Sequence, residues 1–215
     1  SLKKQKSANY LLVAKNSFYT HKEFLALKKF VSKGNNAFIS VNQMDDQLLE
    51  FLNFSTLQVI YNDSIYRTNL SSNPDKYYSF RFQGKKKLQL FQMLYLNIDY
   101  DLEELGNVKE LGSIEKKSGS VFYHRNRKVN YIQVDYGKGS FFIHTNPVLF
   151  SNYQLKSKEG LEYANGVFNH LGNKKILWDE YSSQYKFEDQ NPNHSISSPL
   201  RFVLQHKALK LAWYT

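Results

Sequence analysis

The sequence predicts an α/β protein, and three stretches carry that prediction. Asn9–Ala14 (NYLLVA) and Ala37–Val41 (AFISV) are short apolar runs bounded by polar residues, the pattern of buried strands. A helical periodicity separates them, so strand, helix and strand follow one another with short connections. The third stretch, Val129–Tyr153, sets two strand patterns around a glycine turn, and the second runs into the polar cluster His144, Thr145 and Asn146.

Taken in order, the elements support one another. After the first strand, Thr20 and Glu23 have the spacing of a capping box. Phe24, Leu27, Phe30 and Val31 recur on one helix face, and Gly34 supplies a stop. The unit ending in AFISV is therefore a βαβ crossover, which implies a parallel pair with right-handed connection. Gln47 to Phe54 adds a short helix over the sheet. From 57 to 128 the chain turns to aromatic-rich, partly alternating runs such as LQVIYN, KYYSFRF and SVFYHRN, read as an antiparallel β insertion between core segments 1–56 and 129–215. Strands are expected again near 129–136 and 140–146, then a helix from Glu159 to Leu171 and a strand at Lys175–Asp179. The last helix is capped by Ser198 and started by Pro199, with Leu200, Val203, Leu204, Ala208 and Leu211 as its apolar stripe. Tyr136–Gly139 reads as a hairpin turn whose glycines take positive φ; no helix follows to make it a phosphate loop.

Composition narrows the function classes. With 215 residues and 41% hydrophobic content the chain can bury a substantial core. Its net charge of +10 and pI near 9.5 admit nucleic acid, an anionic membrane surface or an acidic partner. The lysines fall in short clusters where turns are expected, so nucleic acid is not the expected partner; His124, Arg125, Arg127 and Lys128 read as an exposed strand end. The absence of cysteine excludes disulfides, thiolate chemistry and cysteine-ligated zinc. No metal-ligand spacing or cofactor fingerprint is present, and no cofactor is expected. No apolar run approaches the roughly 18–20 residues that span a bilayer.

Ligands of open α/β sheets gather at the carboxyl ends of parallel strands. That rule selects Asn16, Asn42, His144, Asn146, Asp179, Glu180 and Tyr181 as a candidate ligand or partner cleft. A histidine facing two carboxylates could transfer protons or hold a cation if all three shared that cleft. Alternatively, Asp179 or Glu180 caps a turn or pairs with Arg201, and His144 hydrogen-bonds inside the core. Trp213 and Tyr214 end the amphipathic helix where the chain stops, either packed on the core or at a membrane interface.

The blocks GNNAFISVN, NYIQVDYGKGSFFIHTNPVLFSNY, YANGVFNHL, KKILWDEY and SSPLRFVLQHKALKLAWYT occur together in this order. In them the chain resembles the bacterial domain of unknown function 4350 family, a family without an established activity. The resemblance implies a flavodoxin-like, class I glutamine amidotransferase-like three-layer αβα core. It also implies a membrane-anchored, extracytoplasmic domain of the cell envelope, with Trp213 and Tyr214 near the membrane. A MoxR-type AAA ATPase and a von Willebrand-like protein are the implied partners. One departure is that the additional strand and helix such proteins usually carry before NYLLVA are absent or trimmed here. Lys3, Lys4 and Lys6 argue mildly for the cytoplasmic side instead.

Amidotransferases need a cysteine nucleophile on a strained elbow, and neither a cysteine nor a GxSxG elbow occurs; Ser40 and Ser151 lack the flanking glycines. The leading expectation is thus a non-catalytic binding or scaffolding domain, possessing no catalytic residues, whose basic surface lies against anionic lipid. A small-ligand or carbohydrate-binding sensor is the alternative. A hydrolase using Asp179, Glu180 and His144 is the third.

Overall fold

The computed structural model describes residues 7–53, 77–83, 88–94, 102, 108–115 and 127–184, all within the unit formed by residues 1–185. The runs LQVIYN and SVFYHRN, the expected last helix, Arg201, Trp213 and Tyr214 lie outside the described residues.

Eight described strands form one mixed sheet flanked by helices. They are β1 (Ala8–Asn16), β2 (Asn36–Gln43), β3 (Tyr77–Gln83), β4 (Leu88–Leu94), β5 (Lys109–Glu115), β6 (Arg127–Tyr136), β7 (Gly139–His144) and β8 (Lys175–Trp178). Their order is β4-β3-β5-β6-β7-β2-β1-β8. The four strands β7, β2, β1 and β8 are mutually parallel, and β3, β4, β5 and β6 continue the sheet in antiparallel fashion.

Numbered along the chain, the parallel strands run 3-2-1-4. This departs from the expected flavodoxin-like order 2-1-3-4-5, in which the first strand lies between the second and third. Here β1 pairs with β2 and β8, so the second and third parallel strands are themselves neighbours. The order is instead that of the first four strands of dinucleotide-binding sheets. The loop Ser17–Thr20 after β1 nevertheless has no glycine, whereas that fingerprint needs backbone to approach a pyrophosphate closely.

Helix α1 (His21–Ser32) forms as its sequence predicts. The Thr20 hydroxyl accepts from the Glu23 backbone N–H, and the Glu23 carboxylate accepts from the Thr20 N–H, satisfying two donors at the helix start. Its apolar face, Phe24, Leu27, Phe30 and Val31, is buried against one side of the sheet, and each such side chain contributes about 1.5–3 kcal/mol. The short helix α2 (Asp46–Phe51), capped by Asp45, covers the same side.

The other side of the sheet is covered by the 3-10 helix Pro147–Phe150, the one-turn helix α3 (Asn152–Leu155) and helix α4 (Lys158–Asn169). From α4, Tyr163 and Val167 pack among Phe38, Phe80, Phe82, Tyr131 and Phe142. Helix, sheet and helix make three layers. Asn152 and Tyr153 lie in α3.

The β6–β7 hairpin turns through Gly137 and Lys138. Only Gly137 has positive φ (64°), the signature of a type II′ turn, whose twist suits a two-residue hairpin. The expectation that both glycines supply positive φ is corrected at Gly139. A Cβ there would meet the Asn35 carbonyl oxygen at 2.0 Å, so glycine is required by close backbone packing.

Candidate functional site

The carboxyl ends of β2 and β7 meet in register, with Ser40 opposite His144. Both side chains are fully buried on the α4 side of the sheet. His144 Nδ1 lies 3.0 Å from Ser40 Oγ and 3.0 Å from the Asn146 backbone nitrogen. Its Nε2 lies 2.9 Å from the Tyr163 hydroxyl.

These contacts assign the tautomer. A backbone N–H can only donate, so Nδ1 is the acceptor and the proton resides on Nε2, facing Tyr163. Asn130 Nδ2, at 3.5 Å from Nε2, would then set two donors face to face. Turning that amide over places Oδ1 there instead and supplies a partner to an oxygen that otherwise has none. Burial pushes the His144 pKa down to about 3, so the ring is neutral at physiological pH.

Just beyond this ring the chain divides. From β2 it leads to α2 on one side of the sheet, and from β7 to the 3-10 helix and α4 on the other. Asn42 is the second-last residue of β2, and Thr145 and Asn146 follow β7 directly, so they stand where the two exits part. Thr145 and Asn146 are fully buried. The Thr145 hydroxyl oxygen and the Asn42 amide oxygen are both out of contact with water and have no hydrogen-bond partner, as does the Asn16 amide oxygen at the end of β1. Three of the sequence-selected residues, Asn42, His144 and Asn146, are thus brought to one strand-end region.

Asp179 stands elsewhere. It follows β8, which pairs with β1, so three strand spacings, about 14 Å, separate it from His144. One carboxylate oxygen accepts the N–H groups of Tyr181 and Ser182; the other accepts the Tyr10 hydroxyl at 2.5 Å and the Ser182 hydroxyl at 2.8 Å. Burial raises its pKa, but these donors outweigh burial and hold the carboxyl below its usual range. Tyr10 also meets Tyr19 at 2.8 Å, and the Phe18 N–H bonds to the Ser182 carbonyl, so the loops after β1 and β8 are stitched together. Glu180 and Tyr181 are exposed.

No family model, curated protein or solved structure matches this chain. Its chemistry must be read from this geometry. The postulated histidine facing two carboxylates is not formed: His144 is surrounded by Ser40, Asn130, Asn146 and Tyr163, and Asp179 closes a turn. Among the described residues no group of three or more His, Asp or Glu side chains is placed to hold a metal ion, and no helix is long and apolar enough to cross a membrane.

Sequence reasoning missed Ser40, Tyr163, Tyr10, Tyr19 and Asn130 as parts of these networks. Ser40 left a signal, a hydroxyl inside an otherwise apolar strand. Tyr163 lies on the core-facing stripe of its helix and is indistinguishable there from an ordinary packing residue. A depression of about 470 Å³ between β3 and β5, lined by Arg81, Gln83, Lys109 and Glu110, is on the antiparallel half and contains none of the strand-end cluster. Strand-end chemistry is better evidence than hollow volume, so the β2–β7 exit is the candidate site.

Proposed function

We propose that this chain is a non-catalytic binding domain whose ligand or partner enters at the carboxyl ends of β2 and β7. The observation that carries the reading is the pair of buried oxygens, Asn42 Oδ1 and Thr145 Oγ1, left without partners where the chain exits to opposite faces. Leaving a buried acceptor unmatched costs about 1–3 kcal/mol, and a hydrogen-bond donor on a bound molecule would recover that energy. Asparagine and threonine oxygens with no carboxylate among them favour a neutral, donor-rich ligand, such as a polyol, sugar or amide.

A non-catalytic role is supported by the commitment of the acid–base candidates to the fold. His144 is buried, neutral and saturated, and Asp179 accepts four hydrogen bonds. The motif resemblance adds a proposed setting: a membrane-anchored, extracytoplasmic envelope protein that scaffolds a complex with a MoxR-type AAA ATPase.

The test is thermal unfolding against a panel of sugars, polyols, amides and amino acids. A true ligand raises Tm progressively with its concentration in the wild type. Asn42→Ala with Thr145→Val should abolish that rise. If no compound shifts the wild type, or the double variant responds equally, the strand-end reading fails.

A further inference from the structure

The opposite edge of the sheet, where the parallel strands begin, gathers lysines from separate parts of the chain. Lys29 and Lys33 lie at the end of α1, Lys138 in the β6–β7 turn, and Lys174 and Lys175 at the start of β8. Backbone and side-chain bonds hold these segments together. The Lys138 N–H donates to the Ser32 carbonyl (3.1 Å), Lys174 Nζ to the Gly34 carbonyl (2.9 Å), and Asn36 Nδ2 to the Leu171 carbonyl (3.2 Å). The Ala8 N–H, at the start of β1, donates to Asn35 Oδ1 (2.9 Å). Lys29, Lys33, Lys138 and Lys175 are all exposed.

Among the described residues the acid near this rim is Asp135. It accepts from Ser140 and Gln133, which hold its carboxyl below the usual range, and so remains one charge against five. At the carboxyl edge the described charges are mixed, with Asp45, Asp46, Glu50 and Glu180 around the strand ends beside Lys15 and Lys22. Lys29 and the C-cap Lys33 are explained by the negative end of the α1 dipole. That explanation does not reach Lys138 in a hairpin turn or Lys175 in a strand. In sequence, Lys3, Lys4 and Lys6 also precede by a few residues the strand that begins at this edge.

We propose that this lysine rim is a docking surface for an anionic lipid bilayer, with the parallel strands' amino edge facing the membrane and the β2–β7 exit facing away. The chemistry distinguishes lipid from nucleic acid. The rim carries lysines, compact point charges, and neither arginine forks nor exposed aromatic rings for base stacking are interleaved among its described residues. A planar array of headgroups demands only charge density on one edge, and each lysine near such a surface lowers the free energy by about 1 kcal/mol.

Vesicle co-sedimentation of the full chain tests the inference, using phosphatidylcholine vesicles with and without about 30 mol% phosphatidylglycerol. The wild type should bind only the anionic vesicles and be released by salt. Replacing Lys29, Lys33, Lys138 and Lys175 with Gln should lower the partition coefficient by about fivefold per lysine, several hundredfold in all. A matched control, Lys15, Lys22, Lys156 and Lys158 to Gln, removes the same charge elsewhere and should retain most of the binding; unchanged thermal unfolding of both variants certifies their folding. Binding that survives the rim substitutions, or falls equally in the control, would overturn the inference. So would binding to a single-stranded RNA homopolymer but not to vesicles, which would identify a nucleic-acid surface.

Discussion

His144 must be neutral to occupy its place in the fold, whereas an unfolded chain returns the imidazole to water, where it protonates near pH 6.5. Its folded pKa of about 3 is below that value, so protons favour the unfolded state. The stability this residue supports is therefore complete above about pH 6.5 and is lost as pH falls towards 3, by at most about 1.4 kcal/mol per pH unit. We expect His144→Asn, which keeps an acceptor for the Asn146 N–H, to be less stable at pH 7 yet to lose stability less steeply between pH 6 and 4. Urea midpoints at each pH measure both slopes, and equal slopes would mean that the ring titrates normally in the native state. The sequence made His144 visible, because a histidine, threonine and asparagine following an apolar strand stand out. A core hydrogen-bonding role was one of its two readings, but the partners were not visible. Tyr163 and Ser40, which occupy its two nitrogens, are distant in the chain and reach it only through strand pairing and helix packing.

Local elements were legible where their signals are short-range. The Thr20–Glu23 box, the Gly34 stop at φ 98° and the apolar stripe of α1 act within one or two turns, and all are present. Gly139 shows what local reading omits. Its neighbours Asn35, in the α1–β2 connection, and Val31, in α1, are about a hundred residues away in sequence, and a Cβ would lie 2.0 Å and 2.5 Å from their carbonyl oxygens. Gly172 is the converse: φ is 71°, but a Cβ would meet nothing within 4 Å. Gly139→Ala should therefore cost more than about 3 kcal/mol, since backbone must move, whereas Gly172→Ala should cost about 1 kcal/mol of left-handed strain. Chemical denaturation of the two variants decides this. Similar losses would mean that the hairpin can back away from the α1–β2 connection without disturbing the sheet.

At the level of the molecule, strand existence could be read from periodicity but strand order could not, because nothing in β8 states that it pairs with β1 rather than β7. That single pairing puts Asp179 three strands from His144 and removes the condition, a shared cleft, on which a proton-transfer cluster depended. It also places the strands in unequal surroundings. β2 is paired on both sides, and its Ala37, Phe38, Ile39, Ser40 and Val41 are fully buried between the helical layers. β8 pairs with β1 over four residues and is the last described strand on its side, with Ile176 56% and Trp178 58% exposed. Opening β2 breaks both ladders and both cores, so its amides should exchange only through global unfolding; β8 can detach at the cost of one short ladder. Native-state hydrogen exchange should accordingly find amides 37–41 the most protected, with those of 176–178 exchanging at least about a hundredfold faster. The same measurement on vesicle-bound protein extends the argument: contact through the lysine rim should slow exchange in the 137–138 turn and leave β2 unchanged. Equal protection of β8 and β2 would mean that the Ile176 and Trp178 side of the sheet is covered in solution, and the sheet would then be stabilised from that edge as firmly as from its centre.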